Sequence, residues 1–267
     1  VARESRLFVR AQADGQERSL GPPEEYFALF HFDGSTEDNG VGSELTGGEP
    51  FEVETLGSPK LRVSDRVFGY ELDGNSGFEI SQLLVPFRGG APSRFSVNIR
   101  LRLDGLSGEQ QIIALHSREE QSPEPQSPDN QSTTVESAQN GGSVDESSRQ
   151  DFSLELSVDE NGIPTLELTS KGTVDTSTPR EPIFTAGEPV NVSIGIVPRE
   201  TDTHVRWYAD GRYISESLLS VGFPETQSNG AWTTRRGVTT IGGENGFSGI
   251  LDELGVYFRD SSGNAST

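Results

Sequence analysis

The sequence predicts an all-β protein, an antiparallel two-sheet jelly-roll sandwich, on three observations. Apolar and polar residues alternate with a period of two in several separate stretches. Gly and Pro punctuate those stretches, with 31 and 15 copies in 267 residues. No stretch carries an apolar helical stripe of about ten residues.

The elements follow in order. Phe95, Val97, Ile99, Leu101 and Leu103 alternate with Ser96, Asn98, Arg100 and Arg102, giving one buried and one wet face. Phe152, Leu154, Leu156 and Val158 repeat the pattern. Asn161 and Gly162 then supply turn chemistry, and residues 165–169 return as the partner strand. Val190, Val192, Ile194 and Ile196 alternate with Asn191, Ser193 and Gly195. Residues 204–208, a turn at Asp210 and Gly211, and then Tyr213 and Ile214 read as a hairpin. Residues 237–241 and 251–258 complete the series. Parity sends Trp207 into the core with Val205, and Tyr208 outward with His204 and Arg206.

Residues 117–150 break the pattern. Among Leu, Ile, Val and Phe they hold only Val135 and Val144, and they have no aromatic residue. Such a stretch buries too little apolar surface to offset its ordering entropy, so it reads as a mobile insertion, dispensable for folding. It reads as a long loop inside one domain spanning 24–260 rather than as a linker between two, because long surface insertions cost little closure entropy. Residues 1–23 read as an N-terminal extension and 261–267 as a tail.

Composition narrows the function. Against 21 Lys and Arg stand 42 Asp and Glu, a net charge of −21. Clustered cations are what nucleic acid and anionic lipid require, so neither partner is expected. The absence of Cys excludes disulfides, Cys-ligated zinc and thiol catalysis. No apolar run approaches the roughly 20 residues that cross a bilayer, so no membrane insertion is expected. The sequence contains no Met. It is expected to begin after processing or at a boundary within a longer chain, and its localisation is expected to be extracellular, at the cell surface or periplasmic.

Two stretches carry a resemblance. The first runs from Tyr26 to Gly34 (YFALFHFDG), followed by Asp38, Asn39 and Gly40. The second runs from Trp207 to Arg212 (WYADGR), then Thr240 to Gly243 (TIGG), then Phe247 to Tyr257 (FSGILDELGVY). In this order they resemble the laminin-G-like, concanavalin A-like lectin and glucanase jelly rolls of bacterial surface and exported proteins. Leu251 stands where that family usually has Ile. The resemblance implies a jelly roll over roughly residues 24–260 and a calcium ion linking its first and last strands, with Asp33 and Asp252 as candidate ligands. Strand parity places Asp252 with Leu254, Val256 and Phe258, facing the apolar side. A carboxylate there needs hydrogen bonds or a cation. The alternatives are that Asp252 caps backbone N–H groups and that Asp33 sits in an exposed turn.

Catalytic patterns are missing. The related glucanases carry Glu-x-Asp-x-Glu on one strand, whereas Glu155 is followed by Ser157 and Glu167 by Thr169. His31, His116 and His204 are the only histidines, and no Gly-x-Ser-x-Gly elbow or His-Glu-x-x-His helix accompanies them. Sugar binding is better supplied. Trp232 sits in what reads as a loop over 227–232, beside Asn229 and Gly230, with Arg235 close behind. Tyr208 faces outward. Aromatic platforms with amide and guanidinium neighbours suit a glycan. The leading expectation is a non-catalytic, exported, carbohydrate-binding module. The alternatives are a structural or adhesive module that binds a surface protein, and a glycan-active enzyme with an unrecognised site.

Overall fold

The computed structural model describes residues 26–34, 36, 51–63, 68–88, 91–117, 152–223, 232–235 and 237–258. The readings at residues 1–23, 117–150 (apart from Ser117), Asp38, Asn229 and 261–267 lie outside these residues. Every described element is a strand. The first seven are β1 (Tyr26–His31), β2 (Val53–Leu56), β3 (Lys60–Val63), β4 (Phe68–Asp73), β5 (Gly77–Ile80), β6 (Leu83–Arg88) and β7 (Ala91–Pro92). Then come β8 (Phe95–Leu103), β9 (Gln110–Ser117), β10 (Phe152–Val158), β11 (Pro164–Ser170), β12 (Thr173–Ser177) and β13 (Pro189–Pro198). The last are β14 (Thr203–Ala209), β15 (Arg212–Leu219), β16 (Trp232–Arg235), β17 (Gly237–Gly242) and β18 (Ser248–Phe258).

These strands form two large antiparallel sheets, so the protein is an all-β two-sheet sandwich. The front sheet has the order β15-β14-β13-β8-β18-β4-β3, with β1 also on β18. The back sheet has the order β12-β11-β10-β9-β17-β5-β2. A small third sheet joins β16, β6 and β7. Strands β9 and β10, which flank residues 118–151, are hydrogen-bonded neighbours, with Leu154 opposite Leu115.

The alternation read from the sequence is the alternation of the core. Phe95, Val97, Ile99, Leu101 and Leu103 are buried, as are Val192, Ile194 and Ile196 beside them. Phe152, Leu154, Leu156 and Val158 do the same in the back sheet, with Leu154 opposite Leu168 and Leu156 opposite Leu166. Aromatic rings fill one end: Phe32 and Phe78 lie 4.8 Å apart, and Tyr70 meets Phe78 edge-on at 5.3 Å. Offset and edge-to-face ring pairs of this kind add to simple area burial.

Side-chain bonds latch the β12 edge of the back sheet to the front sheet. The Trp207 indole N–H donates to Ser177 Oγ at 2.7 Å, and Ser177 meets Ser217 Oγ on β15 at 2.6 Å. Asp175 accepts from the backbone N–H of Ser220 at 2.7 Å and of Thr176 at 2.8 Å. These two bonds, the Ser220 one foremost, hold its carboxyl below the usual Asp range. A depressed pKa contributes stability that is present above the unfolded-state value and is lost as pH falls through the lower folded value. The urea midpoint is therefore expected to drop as pH falls below about 4. In Asp175→Asn, which removes the titration, that acid decline should be shallower; an unchanged acid limb would exclude this latch from it.

Candidate functional site

Two groups of polar residues stand out on the outer face of the front sheet. The first is charged and lies where β1, β18 and β8 meet. In β18, Leu251 is opposite Leu101 and Leu254 is opposite Ile99, and both leucines are buried. Only one residue, Arg100, separates Leu101 from Ile99, whereas two, Asp252 and Glu253, separate the leucines. The register shifts there, which marks a β-bulge. This corrects the parity reading of Asp252. The extra residue breaks the alternation, so the Asp252 carboxylate lies with that of Glu253 on the Arg100 side rather than facing the apolar side.

The geometry of this junction is tight. Arg100 Nε is 3.1 Å from Asp252 Oδ2, and the Asp252 side chain is 1 % exposed. His31 Nδ1 is 2.9 Å from Glu253 Oε1, with both residues buried. Phe32 N–H donates to the Asp252 carbonyl at 2.9 Å, which brings the turn holding Asp33 against the bulge. The first and last strands thus meet where the resemblance implied calcium. Calcium takes six to eight oxygens; here Asp252 Oδ2 faces a guanidinium and Glu253 Oε1 an imidazole. No group of three or more acidic or His side chains suited to a metal occurs among the described residues.

The second group is the outer face of the β14–β15 hairpin. Its two-residue turn puts Asp210 at φ 50° and Gly211 at φ 76°, the backbone twist that favours tight hairpins. That turn sets Tyr208 opposite Tyr213, and further along Arg206 opposite Glu216. The Tyr208 and Tyr213 rings lie 5.7 Å apart at 71°. Tyr213 is 51 % exposed and Tyr208 half-buried. Arg206 Nε reaches Glu216 Oε2 at 3.2 Å. Beyond the turn, Arg212 Nη2 donates to Glu181 Oε1 at 2.6 Å. The arrangement presents aromatic CH-binding surface next to hydrogen-bonding groups in both senses, which is what a polyhydroxylated ring needs.

The other sequence-predicted binding residues sit elsewhere. Trp232 and Arg235 are the ends of β16, where Trp232 is opposite Arg88 of β6. The loop reading of Trp232 is corrected: Thr233 and Thr234 favour extended backbone, and a four-residue strand is too short to show its period in sequence. The structure therefore brings Tyr208 together with Tyr213, which the sequence reading did not select, and sets Trp232 in a separate sheet. The turn at Asp210 and Gly211 was the available signal, because a two-residue turn fixes 208 opposite 213.

The back sheet sets two carboxylate pairs opposite each other, Glu54 with Glu79 at one end and a second pair next to a histidine. Glu155 is opposite Glu167, and His116 Nε2 lies 3.6 Å from Glu155 Oε1. With the Glu155 side chain 42 % exposed, solvent screens these contacts.

No protein-family model matches the sequence, and no curated protein matches it. Solved structures are similar at the level of the fold. The carbohydrate-binding module CBM40 of the Ruminococcus gnavus IT-sialidase, bound to α2,3-sialyllactose, is 13 % identical with a TM-score of 0.39, over 68 % of this chain and 89 % of that one. A protein of unknown function from Shewanella oneidensis MR-1 is 14 % identical with a TM-score of 0.46, over 90 % and 89 %. The binding domain of botulinum neurotoxin serotype D is 9 % identical with a TM-score of 0.49, over 88 % of this chain and 48 % of that one. The chain thus spans about half the length of the toxin domain it matches.

Proposed function

We propose that this chain is a non-catalytic, exported binding module of the laminin-G-like kind, that its ligand is a carbohydrate, and that the β14–β15 outer face makes the contact. One observation carries the reading: an aromatic pair, Tyr208 and Tyr213, stands on an outer sheet face with the Arg206–Glu216 pair directly beside it. A Tyr ring that is half exposed in a folded protein has not spent its apolar surface on the core, and its face suits the CH side of a sugar.

A glycan array tests this. The wild-type chain is expected to bind at least one glycan class, and Tyr213→Ala is expected to lose that binding with its melting temperature within about a degree or two of wild type, as for most surface substitutions. Binding unchanged in Tyr213→Ala would move the site away from this hairpin. A protein-binding reading draws on a different feature. Leu61 and Val63 on β3, the last strand of the front sheet among the described residues, are 46 % and 75 % exposed. Loss of partner binding in Leu61→Ser with glycan binding absent would favour it.

A further inference from the structure

We infer that the outer face of the front sheet carries a trough for a neutral sugar ring, floored by Gly195, Ser193 and Ser96 and walled by Tyr208 and Arg206. The inference rests on the carbohydrate reading above and names the ligand class and the seat.

Two rows of residues run across the sheet from β18 to β15. One is Tyr257, Ser96, Gly195, Arg206 and Glu216. The next is Gly255, Asn98, Ser193, Tyr208 and Tyr213. In the first row the middle strands, β8 and β13, present Ser96 and Gly195, and in the second Ser193 beside a buried Asn98, whereas β14 and β15 rise on one side. Tyr257, packed edge-on against Tyr26 at 5.7 Å, rises on the other in the first row. From β18 to β14 is three strand spacings, about 14 Å between backbones, which leaves room for a six-membered ring between the walls.

The glycines of the two rows have different causes. A Cβ on Gly255 would stand 2.5 Å from the Tyr26 ring, so packing demands that glycine. A Cβ on Gly195 would meet nothing closer than 3.8 Å, from Arg206 Cβ, and Gly195 is absent from the positive-φ glycines. Its registers to β8 and β14 run through without a bulge. Neither backbone nor packing needs a glycine in the middle of this strand, where glycine weakens the sheet. Close approach of a ligand is the remaining use for one.

Charge selects the ligand. The guanidinium group at the wall, Arg206, is held by a carboxylate, Glu216. An anionic sugar would have to displace that carboxylate on a chain of net charge −21. A neutral ring asks for no such displacement: it lays its CH face on tyrosine and hydrogen-bonds through its hydroxyls to Ser96, Ser193 and the Arg206–Glu216 pair.

The test uses the full chain, an array of neutral oligosaccharides, uronates and sialosides, and titration of the best binder at low and high salt. Wild type is expected to bind neutral glycans with little salt dependence. Gly195→Leu, which fills the trough, is expected to weaken that binding at least tenfold without lowering the melting temperature. Gly195→Leu binding as wild type while Tyr213→Ala fails would overturn the trough and leave the carbohydrate reading standing. So would a Gly195→Leu chain that unfolds, since the glycine would then be structural. Salt-sensitive binding of anionic glycans alone would overturn the neutral class. Binding to no glycan would overturn the carbohydrate reading, and this inference with it.

Discussion

Arg100→Ala is expected to lower the unfolding free energy by about 3–5 kcal/mol, the cost of leaving a buried charge without its counter-ion. The Asp252 carboxylate that Arg100 Nε faces at 3.1 Å is 1 % exposed, and it sits on the bulge that joins β18 to the turn after β1. Urea denaturation of the single variant measures the loss. The double variant Arg100→Met, Asp252→Leu separates the pair from its geometry: replacing both charges by apolar groups should recover much of the stability, since a buried ion pair is often matched by packed hydrophobic residues. The same junction sets the response to chelation. With a guanidinium on Asp252, EGTA is expected to leave the melting curve of the wild-type chain unchanged. A fall with EGTA that calcium reverses would show instead that an ion contributes here, by its binding free energy to the folded state.

Trp207→Ala is expected to cost about 3–5 kcal/mol, the range for truncating a large buried aromatic side chain. Trp207 is fully buried, and its indole N–H donates to Ser177, which in turn meets Ser217 of β15. Removing the ring therefore opens a cavity and also takes the donor from the latch between the two sheets. Trp207→Phe keeps most of the volume and loses the donor, so it should cost distinctly less. The chain has two tryptophans, so a Trp232→Phe background isolates the Trp207 fluorescence. Emission there should be blue-shifted in the native state and move to the red at the urea midpoint. A solvent-like native spectrum would contradict the burial.

The long, half-buried strands were legible because their period is written in their residues. Phe95 to Leu103, Phe152 to Val158 and Val190 to Ile196 each show one face to the core, and a sequence records that directly. Strands β2 to β7 were not read, because runs of two to six residues near sheet edges or with both faces covered have no clear alternation. The burial of Leu83, Leu84, Val85 and Phe87 in succession shows why a period of two fails in β6. The bulge at Asp252 was invisible for a different reason. One extra residue changes no local propensity; it exists only in relation to β8, and it reverses the direction of a side chain. The outward direction of Tyr208 was legible from parity, and its pairing with Tyr213 was implicit in the hairpin turn. Gly195 was not legible as part of a site, since a floor is defined only when the registers of β13 on both sides are known.

The strand that comes last in sequence among those described, β18, lies inside its sheet and not at the rim: β8 lines one side of it, and β4 and β1 the other. During synthesis the front sheet therefore stays in three parts until residues 248–258 have left the ribosome. The β1 segment, made more than two hundred residues earlier, waits all that time for its partner. Pairings so distant in sequence form slowly and late. A nascent chain lacking only this segment would hold an open front sheet with its apolar faces uncovered, a form prone to chaperone capture.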